Sequence, residues 1–228
     1  MSTKSRHTGF FMNIEKLRKM VSGEVVDYQT LVSLLADYAS PRDKISKWLK
    51  TGELIRLKKG LYIFSKEVAL ESYSIEVLAN LIYGPSAISF SYALSYYGMI
   101  PERVAVVTSI TDKKNKTYST PVGKFTYRYI NSEKYSIGIE LDTSSERSTF
   151  LIASAEKALC DQLHLIDRKL KLVNVDEMEA YLLYDLRIDE DKLMTLRITT
   201  LRQIEKAYKD ERIKLLIDYI KQRKKTDE

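Results

Sequence analysis

Residues 40–50 read SPRDKISKWLK, and residues 51–64 continue TGELIRLKKGLYIF. Together they predict a short helix, a stop and a β-hairpin. Ser40 suits the N-cap, and Pro41 suits the first helical position, where its missing N–H has no intrahelical partner to lose. Gly52 ends the helix, because glycine accepts the left-handed backbone common just past a helix terminus. ELIRL and GLYIF are β-prone runs separated by Lys58-Lys59-Gly60, a hairpin signal. At about 100° per residue, Ile45, Trp48 and Leu49 share one side of the helix. Asp43, Ser46, Lys47 and Lys50 lie opposite, with Arg42 and Lys44 on the flanks. Such a face is either an ordinary solvated surface or one that meets DNA.

Charge distribution bears on that choice. The chain of 228 residues has a net charge of +6. In residues 40–64, seven cations (Arg42, Lys44, Lys47, Lys50, Arg56, Lys58, Lys59) oppose Asp43 and Glu53, leaving +5. Nearly the whole excess therefore sits on the helix and hairpin. Arg42, Lys44, Ser46, Lys47 and Lys50 are the candidate DNA contacts of the helix, and Arg42 can pair with guanine O6 and N7. Lys58 and Lys59 on the hairpin suit phosphate, which supplies affinity without sequence information. Asp43 fits DNA least well, and at the start of the helix it suits the dipole instead. Trp48, with apolar neighbours at helical spacing, is assigned to the core.

Upstream, Ile14, Leu17, Met20 and Val21 follow helical spacing, and Asp27 is a plausible N-cap for a second helix, YQTLVSLLADY. Three short helices followed by a basic-tipped hairpin are the order of a winged helix-turn-helix domain. The expected organisation is a flexible arm over 1–12, a winged helix-turn-helix over 13–65, and a larger α/β domain over 66–228. The fold class is α+β: an N-terminal winged helix followed by a mixed α/β domain with a helical C-terminal part.

In the larger domain, SIEVLANLIYG (74–84) and SAISFSYALSYYG (86–98) read as helices, and RVAVVTSI (103–110) as a buried strand. KTYSTPVGKFTYRYI (116–130) alternates around Pro121-Val122-Gly123 as a hairpin, and SIGIEL and STFLIA as further strands. AEKALCDQLHLI then opens a helical second half. Phe125, Tyr127 and Tyr129 share one strand face, with Arg128 on the other; the face either packs or stacks on single-stranded bases. Lys221–Lys225 form a basic tail of the kind that is usually solvated.

Catalytic constellations are thin. No glycine-rich phosphate loop or nucleophile elbow is present. Cys160 and His164, four apart with Glu156 in line, admit a nucleophile–base pair but lack an orienting group. Glu140 and Asp142 are the best acidic pair for a metal-dependent nuclease. One cysteine and two histidines argue against a disulfide framework or a histidine- or cysteine-rich zinc site, and fit a reducing cytoplasm. No stretch approaches the roughly 20 apolar residues of a membrane helix, and MSTKSRHTGF resembles no signal peptide.

LIRLKKGLYIF after a short basic helix, then SFSYALSYYGMIPE, KTYSTPVGKFTYRYI and LIASAEKALCDQL, resemble in that order the AbiEi family, over roughly residues 13–165. Its members are antitoxins and transcriptional regulators of type IV toxin–antitoxin and abortive-infection systems. The resemblance implies a bacterial, non-enzymatic repressor that binds double-stranded DNA repeats in its own promoter, without a cofactor or metal. It also implies a functional partner, a nucleotidyltransferase-like toxin. Oligomeric state and the role of residues 166–228 stay open. Two other readings stand beside it: an interaction module with a vestigial winged helix, and a metal-dependent nuclease acting through Glu140 and Asp142.

Overall fold

The computed structural model describes residues 12–145 and 148–226. The arm expected over 1–12 lies outside these residues except for Met12, which is buried. The chain divides into two compact units, one ending at Tyr73 and including Thr120–Val122, the other comprising Ser74–Ser119 and Gly123–Glu228. Both mix helices with sheet, so the chain is α+β.

The first unit runs α1 (Ile14–Lys19), β1 (Val25–Asp27), α2 (Tyr28–Leu34), α3 (Pro41–Thr51), β2 (Leu54–Lys58) and β3 (Leu61–Phe64). Helix α1 is shorter than its spacing predicts. It ends at Lys19, and Met20 is exposed rather than part of the apolar face. Strand β1 is too short to be read from periodicity. It pairs antiparallel with β3, Val26 opposite Tyr62, and β3 pairs with β2, giving the order β1-β3-β2. Leu17, Val26, Leu31, Leu35, Ile45, Trp48, Leu54 and Phe64 form one buried cluster. Each such side chain contributes roughly 2 kcal/mol relative to exposure.

A buried ion pair completes this unit. Arg18 Nε donates to Glu24 Oε2 at 2.8 Å, and Glu24 Oε1 accepts the backbone N–H groups of Leu70 and Glu71 at 3.0 and 2.9 Å. Burial alone would raise the Glu24 pKa. The Arg18 hydrogen bond and the Glu71 and Leu70 amides outweigh it and hold the carboxyl below its ordinary value. One carboxylate thus fastens the segment that follows the hairpin.

The second unit contains α4 (Ile75–Ile82), β4 (Ala87–Ile88), α5 (Phe90–Tyr96), β5 (Val107–Thr111), β6 (Lys116–Thr120), β7 (Gly123–Tyr129), α6 (Ser132–Tyr135), β8 (Ile139–Ser145) and β9 (Ser148–Ala153). After these come α7 (Ala155–Asp161), α8 (Val175–Ala180), α9 (Glu190–Met194), α10 (Ile198–Tyr208) and α11 (Glu211–Thr226), with π-helical turns extending α7 and α8. The sheet order is β6-β7-β5-β4-β9-β8. β5–β7 and β4–β9 are parallel, whereas β4–β5 and β8–β9 are antiparallel. One expected helix is corrected: residues 86–98 begin as strand β4, where Ala87 and Ile88 are fully buried between β5 and β9, and only Phe90–Tyr96 is helical. Sheet pairing there overrides the helical spacing.

Helix α7 packs against α5 and α10. On it Lys157 and Asp161 are fully buried. Lys157 Nζ donates to the Tyr208 hydroxyl at 2.6 Å and the Lys134 carbonyl at 2.9 Å, and Asp161 Oδ2 accepts from Ser89 at 2.6 Å. Tyr208 in turn donates to Asp161 Oδ1. The cation and carboxylate are compensated within the core, as buried charge requires. Among the described residues no helix is long and apolar enough to cross a membrane.

Candidate nucleic-acid interface

Helix α3 separates its two sides as its spacing predicts. Ile45 and Trp48 are each 3% exposed and Leu49 is half-buried against the same core, whereas Arg42, Asp43, Ser46, Lys47 and Lys50 are exposed. Pro41 occupies the first position, and Gly52 closes the helix at φ +77°. Ser40 stands at the N-cap, but its side chain makes no capping hydrogen bond. Asp43 sits in the first turn, where its charge opposes the positive end of the helix.

The predicted contacts differ in their freedom. Arg42 Nε donates to the hydroxyl of Tyr28, the first residue of α2, at 3.0 Å, which orients the guanidinium while leaving it exposed. Lys44 is half-buried, its ammonium 5.5 Å from the Tyr38 ring centre and 5.3 Å from that of Trp48. Two aromatic faces attract that charge toward the domain. Ser46, Lys47 and Lys50 form the open part of the face.

The hairpin tip is the Lys59-Gly60 turn, with Lys58 opposite Leu61. Gly60 has φ +86°, which a residue with a Cβ adopts only with strain. Its carbonyl accepts the Tyr28 N–H at 3.0 Å, tying the tip to the start of α2. Asp27 caps α2 by accepting the Thr30 N–H at 2.9 Å, and this bond holds its carboxyl below the ordinary range. Lys59 is exposed and Lys58 half-buried. Arg56, on β2, is exposed as well and belongs with these cations. Tyr28 was not legible as a positioning residue, since its partner lies fourteen residues away.

The other candidates are not brought together as a reacting group. Cys160 is fully buried, and burial followed by the Asp161 charge pushes its thiol up, away from the nucleophilic thiolate. His164 engages Asp210 at 3.0 Å through Nδ1 and Lys134 Nζ at 3.0 Å through Nε2, not Cys160. Glu140 pairs with Arg197 at 2.8 Å, which also binds the buried Glu156. Asp142 accepts from Ser144 and Tyr96. Among the described residues no three His, Cys, Asp or Glu side chains converge to hold a metal ion.

Phe125 and Tyr127 are fully buried, but Tyr129 is 51% exposed, so the aromatic stripe is core at one end and surface at the other. The basic tail is not simply solvated: it is the last part of α11, where Arg223 pairs with Glu190 and Lys224 Nζ donates to the Leu196 carbonyl. No family model and no curated protein sequence matches the chain.

Proposed function

We propose that the chain is a DNA-binding transcriptional repressor whose first unit is a winged helix-turn-helix, with α3 as the recognition helix and the β2–β3 hairpin as the wing. The observation that carries this is the two-sidedness of α3: Ile45 and Trp48 anchor it, while Arg42, Ser46, Lys47 and Lys50 stay exposed. The order helix, strand, two helices and hairpin, with β1 paired to β3, suits that architecture. The AbiEi-like blocks extend the proposal to an antitoxin that represses its own operon and opposes a nucleotidyltransferase-like toxin. By this reading the protein is not an enzyme and acts in the cytoplasm.

Titration of the full chain with a duplex carrying its own promoter tests the DNA-binding part. Four phosphate contacts, from Arg42, Lys47, Lys50 and Lys59, give a slope of log K against log salt of roughly −3.6. A promoter affinity that ignores salt, or that matches random duplex, defeats it. Growth rescue from the neighbouring gene product tests the antitoxin part separately.

A further inference from the structure

Positive charge gathers in a second place, which the net charge conceals. Residues 112–129 carry Lys113, Lys114, Lys116, Lys124 and Arg128 against Asp112, five minus one, or +4. All six are exposed. Asp112, Lys113 and Lys114 border an open cleft of about 650 Å³, lined also by Tyr83, Asn115 and Tyr129. That size lies within the span of small-ligand sites.

The cleft has a fixed aromatic wall. Tyr83 donates its hydroxyl to the Lys114 carbonyl at 3.2 Å and packs edge-on against the buried Tyr127, ring centres 5.2 Å apart. The Lys113 ammonium lies 5.7 Å from the Tyr83 ring centre and donates to the Gly84 carbonyl. The backbone N–H of Tyr129 donates to Asn115 Oδ1 at 2.6 Å, which ties the loop to β7. The Tyr129 ring itself is about half exposed and joins no ring pair among the described residues. Strand β6 is a sheet edge, and lysines on an edge normally discourage pairing with other chains. That role accounts for Lys116. It does not account for an exposed tyrosine and a braced tyrosine lining one cleft together with two lysines.

Exposed rings beside cations match what unpaired bases need, since a base offers its face only when it is out of a duplex. We propose that this cleft binds single-stranded nucleic acid, one base stacking on Tyr129 while flanking phosphates meet Lys113 and Lys114. Asp112 is the acceptor at hand for a base amino group. The site is independent of α3 and of duplex binding.

Fluorescence anisotropy of the full chain with labelled 20-nucleotide oligothymidylate and oligouridylate tests it. Tyr129→Ala is expected to weaken binding about tenfold, the loss of one stacked base. Tyr129→Leu, which keeps bulk without the aromatic face, is expected to do the same and guards against an unfolded variant. Replacing Lys113 and Lys114 by alanine is expected to flatten the salt slope by about 1.4. The α3 variant Arg42→Ala/Lys47→Ala is expected to retain single-strand binding. A preference between the two oligomers identifies DNA or RNA as the ligand. Absence of binding to both at about 0.1 M salt overturns the proposal, as does affinity that survives both Tyr129 variants. Loss of single-strand binding in the α3 variant overturns it too, by placing the strand on α3.

Discussion

Lys47 on α3 and Lys157 on α7 are the same side chain in opposite settings. Lys47 is exposed, and its ammonium has no hydrogen bond or ion pair among the described residues. Lys157 is fully buried and divides its protons among Tyr208, the Lys134 carbonyl and Asp161. In water a cation is already solvated, so Lys47 adds little to folding and remains available to a phosphate. In the core an uncompensated cation is costly, so Lys157 is compensated by Asp161 within α7 and by partners on α6 and α10, which hold α7 against them. Burial, not residue type, separates a charge left in water from one that serves the fold.

The sharpest break of this contrast is Lys157→Ala. It strands Asp161 in a buried site and is expected to cost about 3–5 kcal/mol, read as a drop in the urea midpoint. Loss below 1 kcal/mol would mean that water reaches Asp161. Arg42→Ala/Lys47→Ala makes the opposite change: promoter affinity is expected to fall about hundredfold at 0.1 M salt, while stability shifts by less than about 0.5 kcal/mol. Unchanged promoter binding removes α3 from the interface.

Glu156 sharpens the comparison from the acidic side. Burial favours its neutral form, but the Arg197 side-chain and backbone hydrogen bonds outweigh that and bring its pKa down from 4.5 to about 2. A carboxyl whose folded pKa is depressed stabilises the protein above its unfolded value and loses that contribution as pH falls. The acid loss attributable to Glu156 should therefore run from about pH 4.5 down to about 2. Arg197→Ala is expected to cost about 1–3 kcal/mol at neutral pH and to move the acid midpoint upward. An unmoved midpoint denies the pairing.

The smallest effects distinguish two caps. Asp27 accepts the Thr30 amide, so Asp27→Ala is expected to cost about 1 kcal/mol. Ser40 makes no such bond, so Ser40→Ala is expected to cost less than about 0.5 kcal/mol. Thermal melts of the two variants separate them, and equal losses would mean that Ser40 caps α3 after all.

Local rules made much of the first unit legible. The proline start and glycine stop of α3, the buried Ile45 and Trp48, and a hairpin turn at Lys58-Lys59-Gly60 all follow from residues a few positions apart, although Lys58 proves to be the last residue of β2. Strand β1 was not legible, because three residues carry no period and their pairing depends on β3. Nor was the fate of Lys44, whose charge is drawn onto Tyr38 and Trp48. In the second unit β6 and β7 were readable from alternation, and β5, β8 and β9 as short β-prone runs, while β4 was hidden inside a helical pattern.

The amino-acid sequence by itself determined where α3 begins and ends, that a hairpin follows it, and where most of the positive excess lies, because capping, turn chemistry and periodicity act over a few residues. Only the tertiary structure decided which charges face water. Lys157, Asp161 and Glu156 look like a polar stretch of helix until residues as distant as Ser89, Arg197 and Tyr208 supply their partners. The same holds for Tyr129 and Lys114, whose exposure depends on the sheet edge they flank. Solvation is a property of the packed chain, and it is solvation that assigns a charge its role.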